Sequence, residues 1–258
     1  MPRFDRLEME PDSNEPHDNG RAAVTTDSLL QPAKLADRHR RAGQYENALR
    51  YYSRALELDK SFIAGWVGQV EMLIALGEIP EADLWCRKAL EIFPGNGELL
   101  AARTRSLCRL GDLQQAGASS DAALAAAGRS ALRWMARGEW MLANRQPLDR
   151  HCFDKAQQVD SDWLVPLETA IIYRHYGIPS QGLTRARLAT ESVPDQAYPW
   201  YVRGSLEMAL GMSRPAASSF GHCLQLCPGH ADAEARLAEV RCSGWSIRHF
   251  FRRLIPGS

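Results

Sequence analysis

The chain has 258 residues, 45% of them hydrophobic and 24% charged, with a formal net charge of zero. That composition is ordinary for a globular protein, and a neutral chain lacks the bulk electrostatic pull that draws proteins to nucleic acid. No apolar run reaches the roughly 18 residues of a membrane span, so no transmembrane helix is expected.

Residues 1–27 are polar and acidic, rich in Pro, Asn, Asp and Gly, with no apolar period. Such a segment cannot bury enough surface to offset its ordering entropy, and a disordered acidic tail is expected there. Met1–Glu10 is charged and no apolar leader follows it. Cys86, Cys108, Cys152, Cys223, Cys227 and Cys242 form neither a CxxC pair nor a dense framework. Together these point to a cytoplasmic chain with reduced thiols. Helices rich in Arg and Ala fit a high-GC bacterial source.

From Leu29 onward Ala, Leu, Arg and Glu dominate and no alternation typical of a strand appears, so the chain reads as helical throughout. Gly43, Gly77 and Gly111 recur every 34 residues, Arg145 interrupts the series, and Gly177 and Gly211 resume it. Five positions later come Ala48, Ala82, Ala116, Gly182 and Ala216. A third small-residue series runs Ala55, Ala89, Ala123, Ala156, Ala189 and Cys223. Each period is read as a helical hairpin: the glycine ends the first helix in the left-handed conformation, and the small residues let helices approach. One hairpin cannot hide its apolar face alone, so several must stack.

These marks resemble the tetratricopeptide repeat family. In 197–230, Trp200, Gly204, Gly211, Ala216, Phe220, Cys223 and Pro228 fall at the family's positions. The stretch YENALRYYSRALELD, from Tyr45, is similar to the family's second helix. The expected fold is all-α: a right-handed α-solenoid of about six hairpins spanning 28–241. Units fall at about 29–62, 63–96, 97–130, 131–162, 163–196 and 197–230, with a capping helix at 231–241 and a basic amphipathic tail at 242–258. The fourth unit departs, lacking its turn glycine, and there Pro147 is expected to start the second helix. Trp66, Trp134 and Trp200 occupy a packing mark and are expected in the core.

The resemblance implies a non-enzymatic scaffold or adaptor whose first helices line a concave groove for a protein or peptide. By family offset, Lys34, Arg40, Arg41, Arg105, Arg109, Arg174, Tyr198 and Tyr201 face that groove. The arginines favour carboxylates, so a partner with acidic residues is expected. The clamp of the chaperone-binding members is not matched: Ala33 and Asp37 stand where its lysine and asparagine would. In the tail, Trp245, Ile247, Phe250, Phe251, Arg252 and Arg253 make a basic amphipathic helix, with Ser243 or Ser246 as its start. It is expected either to fold back on the last hairpin or to touch a partner or membrane surface. The alternative function is therefore a regulatory subunit that recruits an enzyme to a membrane.

No phosphate loop, HExxH, GxSxG or dinucleotide fingerprint occurs, so no catalytic residue, cofactor or metal is assigned. His222, Cys223, Cys227 and His230 lie close in sequence but lack paired zinc spacing. Glu168 and His175 are a weak acid–base candidate two helical turns apart.

Overall fold

The computed structural model describes residues 26–254, with side chains from 31 to 242. Among the described residues there are thirteen helices and no strand. They run as antiparallel pairs: α1 (Thr26–Arg41) with α2 (Tyr45–Leu58), α3 (Ile63–Leu76) with α4 (Ile79–Ile92), and α5 (Gly97–Leu110) with α6 (Leu113–Ala125). Then come α7 (Ala131–Ala143) with α8 (Asp149–Val159), α9 (Leu164–His175) with α10 (Pro179–Ser192), and α11 (Ala197–Ala209) with α12 (Ser213–Leu226). A final helix, α13 (Ala231–Leu254), closes the stack. The result is an all-α repeat solenoid.

The turns follow from residue chemistry. Gly77 ends α3 at φ 83°, with its N–H on the Ile74 carbonyl and the Glu78 N–H on that of Leu73. Gly111 ends α5 in the same way at φ 84°. Helix starts are satisfied locally: the Asn96 side chain accepts from the N–H groups of Glu98 and Leu99, and that of Asp112 from Gln115. Ala126–Gly128, which end the second helix of the third unit, are held differently. Buried Arg133 donates to the carbonyls of Ala126, Ala127 and Gly128 and to the carboxylate of Glu98.

The small-residue series sit where helices touch. Ala48, Ala82, Ala116, Ala189, Ala216 and Cys223 are fully buried. Glycine does the same inside the first helices. A Cβ on Gly204 would stand 2.8 Å from the Phe220 ring, one on Gly138 2.6 Å from that of Phe153, and one on Gly68 2.5 Å from that of Tyr52. Phe220 and Phe153 come from the second helix of the same unit, and Tyr52 from the second helix of the preceding one. Trp66 is buried beside Trp85, and its indole N–H donates to the Lys60 carbonyl. Trp134 and Trp200 are only half-buried, and Trp200 spends its N–H on the Pro194 carbonyl.

The fourth unit keeps its turn without glycine. Arg145 takes φ 55°, the one non-glycine residue at positive φ among the described residues. Its N–H reaches Leu142 and that of Gln146 reaches Met141. Pro147 falls in the link, and α8 begins at Asp149, not at the proline.

At the two ends the boundaries shift. Residues 1–25, most of the segment expected to be disordered, lie outside the described residues, while Thr26 and Asp27 already belong to α1. At the other end α13 runs unbroken to Leu254, so no new helix starts at Ser243 or Ser246. Its first half packs Ala233, Leu237 and Val240 against Phe220 and Cys223 of α12. Among the described residues no helix is long and apolar enough to cross a membrane.

Candidate functional site

The first helices of the units form the inner face of the superhelix. Glu71 on α3, Arg105 on α5 and Glu139 on α7 stand one repeat apart, at the same register of successive units. Stacking units in register sets such residues side by side. The Arg105 guanidinium bridges the two acids, with Nη1 on Glu71 Oε2 and Nε 2.8 Å from Glu139 Oε2. One turn further along α5, Arg109 donates to the other oxygen of Glu139. Arg105 is 5% exposed, Glu71 4% and Glu139 0%. Burial alone would push the Glu139 carboxyl up. The pull and hydrogen bonds of Arg109 and Arg105 together outweigh it, so the group titrates below its ordinary value.

A second set of contacts joins the ends of this arc. Arg40, at the end of α1, donates to Glu168 on α9 with Nε at 2.9 Å. Arg41 forks onto Asp162 at 2.9 and 2.6 Å, donates to Asp37 at 2.8 Å, and lies 5.3 Å over the Trp163 ring. The Asp162 carboxyl is held below its usual value, chiefly by the Arg41 hydrogen bonds. The hydroxyls of Tyr45 and Tyr198 are 2.7 Å apart and their rings meet edge-on. Gly43 leaves room for the Tyr198 ring, which a Cβ there would strike. The first unit thus touches the end of the fourth, the fifth and the start of the sixth, and the superhelix closes on itself.

Closure changes the standing of the residues expected to face a guest. Arg40, Arg41, Arg105 and Arg109 face carboxylates of their own chain, and Tyr198 is buried at 8% exposure. Where these pairs form, the inner face is buried, and an unpaired charge there is costly. Tyr201 is half-buried, stacked between Tyr198 and His230. Exposed Lys34 and half-buried Arg174 have no ion pair among the described residues. For Trp245, Ile247, Phe250, Phe251, Arg252 and Arg253 the helical backbone is described, and their side chains lie outside the described residues.

A cavity of about 220 Å³ remains between α3, α5 and α9. Glu71 and Glu168 line it, and each keeps one buried carboxylate oxygen with no hydrogen-bond donor among the described residues. Nothing in the sequence marks the second oxygens of Glu71 and Glu168 as unmatched. His175 lines the same cavity, while the acid expected to work with it, Glu168, holds Arg40. Elsewhere His222 stacks on Trp200 and His230 caps α13 through Nδ1. Among the described residues no group of His, Cys, Asp and Glu is arranged to hold a metal.

Comparison with known proteins matches the fold. The family model for the tetratricopeptide repeat matches residues 34–62, within α1 and α2. No curated protein matches in sequence. Among solved structures, a tetratricopeptide repeat protein from Parabacteroides merdae superposes with a TM-score of 0.50 at 18% identity, covering 84% of this chain and 86% of that one. A thermophilic one from Thermus thermophilus gives 0.50 at 14%, covering 83% and 99%. A chain of the Cut9–Hcn1 hetero-tetramer of the APC/C gives 0.50 at 15%, covering 84% of this chain and 46% of its own length. At these identities the likeness is one of fold.

Proposed function

The chain is a tetratricopeptide-repeat protein, and on that premise we propose that it is a non-enzymatic scaffold or adaptor whose inner face receives a protein or peptide with acidic residues. The uneven charge of that face carries the reading. Arg40, Arg105 and Arg109 are matched by Glu168, Glu71 and Glu139, whereas Arg174 and Lys34 have no acid among the described residues. These two cations and half-buried Tyr201 are the groups left for a partner's carboxylates and apolar side chains. The neighbour in Cut9–Hcn1 is itself part of a hetero-tetramer. The six cysteines, none in a disulfide, support placement in a reducing cytoplasm.

Affinity purification with mass spectrometry tests it, comparing the wild type with the double variant Lys34→Glu, Arg174→Glu. The variant should lose partners that the wild type retains. An unchanged set of partners discards the inner face as the binding surface.

A second reading, recruitment to a membrane surface through the tail, is supported by the unbroken helicity of α13 to Leu254, which keeps Ile247, Phe250, Phe251 and Leu254 at helical spacing. Flotation with anionic liposomes, full chain against a form ending at Arg241, tests it. Equal flotation removes it.

A further inference from the structure

We propose that the cavity between α3, α5 and α9 binds a small zwitterion with an aliphatic stem, of the size of a free amino acid. The inference goes beyond the scaffold reading and needs no protein partner. It begins with two carboxylates that are half used. Glu71 gives Oε2 to Arg105, and its Oε1 is buried with no donor. Glu168 gives Oε1 to Arg40, and its Oε2 is buried with no donor, the Arg105 guanidinium standing 4.0 Å away, beyond hydrogen-bond reach. An ionised carboxylate oxygen accepts about two hydrogen bonds, and leaving one dry and unmatched is costly. Both residues line this cavity, and the Glu71 side chain is only 3% exposed.

The opposite sign lies in the same cavity. Arg174 lines it and has no acid of its own among the described residues. The remaining wall is apolar, formed by Met72, Ile74 and Ile171.

Charge balance decides what fits. The lining carries Glu71 and Glu168 against Arg105, Arg109 and Arg174, an excess of one positive charge. A bare cation adds to that excess, and a bare anion leaves both carboxylate oxygens unmatched. A zwitterion satisfies both ends and leaves the balance unchanged: its ammonium donates to Glu71 and Glu168, its carboxylate accepts from Arg174, and its stem covers the apolar wall. Water alone is a poorer occupant. A cavity of about 220 Å³ far exceeds the ~10–15 Å³ one water needs, and the apolar wall gives further waters no partners.

The test is thermal unfolding and isothermal titration of the full chain with the standard free amino acids at millimolar concentration, leucine and methionine foremost. N-acetyl-leucine removes the cation and leucinamide the anion. Leucine or methionine should raise the unfolding temperature and bind saturably, and neither blocked analogue should. Arg174→Gln should keep the unliganded unfolding temperature and weaken binding at least about tenfold. No response to any free amino acid, an equal response to the blocked analogues, or full binding by Arg174→Gln would each overturn the proposal, the first leaving the cavity to water.

Discussion

Two kinds of interface hold this molecule together, and they differ in chemistry and in reach. Neighbouring units stack through apolar layers built by residues about one repeat apart: Trp66, Leu73 and Leu99 at one end, Leu167, Leu206 and Val202 at the other. The inner face is held by charge, and its contacts run from Arg40 to Glu168, 128 residues apart. The apolar layers would survive loosening of the superhelix, because each unit touches only its neighbours. The seam pairs of Arg40 with Glu168 and Arg41 with Asp162 exist only because the turn closes. Stacking therefore supplies the fold, and the charged interior sets how tightly it winds.

The largest expected effect tests whether the interior is structural. Glu139→Ala leaves Arg105 and Arg109 buried without their shared acid and should cost about 3–5 kcal/mol, measured by chemical denaturation. A cost near that of a surface change would mean that water reaches these groups freely. Replacing the whole buried group together, Glu71→Met, Arg105→Leu, Arg109→Met and Glu139→Met, should be close to neutral, since a buried ion pair seldom exceeds an apolar substitute of similar size. The group should matter for partnering and winding more than for total stability.

This network was partly legible. Glu71, Arg105 and Glu139 share one register with alternating sign, and that alternation at a fixed 34-residue step is a signal of pairing between units. Reading the arginines alone as a groove for a guest passed over it. The seam was not legible, because Arg40, Arg41 and Tyr45 meet Glu168, Asp162 and Tyr198 only through small rotations accumulated over several units. The hairpins themselves were plain in the sequence, because Gly77, Gly111 and the buried alanines are fixed by turn geometry and close approach within one unit. Pro147 misled because a proline tolerated in a link looks the same as one opening a helix.

Acid should separate the two interfaces without mutation. The Glu139 carboxyl titrates below its unfolded value, so the unfolded chain binds the proton more readily. Its contribution is complete above the unfolded-state value of ~4.3 and is lost as pH falls through the lower native value. Asp162 shifts the same way and should weaken the seam with it. Stability measured from neutral pH downward should fall below that range, and Glu139→Gln should show a shallower fall. Parallel curves for the two proteins would show that this carboxylate does not drive the acid transition.

Within the apolar layers the critical parameter is clearance. Gly204→Ala places a Cβ 2.8 Å from the Phe220 ring, and Phe220 is fully buried with no room to retreat. The expected cost is about 1–3 kcal/mol. Gly221→Ala, on the next helix, meets nothing within 4 Å and should be neutral or slightly stabilising. Equal effects at the two sites would mean that the aromatic-on-backbone contact is loose.

The smallest effect lies at the one turn where the repeat breaks its own rule. Arg145 sits at φ 55° and closes the same pair of hydrogen bonds that Glu78 and Gly77 close two units earlier, so the geometry is common and only the residue differs. An L side chain in that conformation costs roughly 1–2 kcal/mol, which glycine avoids. Glycine returns part of that gain through the greater freedom of the unfolded chain. The Arg145 side chain is exposed and makes no hydrogen bond or ion pair among the described residues, so nothing is lost with it. Arg145→Gly should therefore stabilise by about 0.5–1 kcal/mol, raising the unfolding temperature by about 1–4 °C for a chain of this size. Arg145→Ala keeps the strain and should leave it unchanged. A gain from alanine equal to that from glycine would place the benefit in removing the arginine charge, and the turn would then be unstrained.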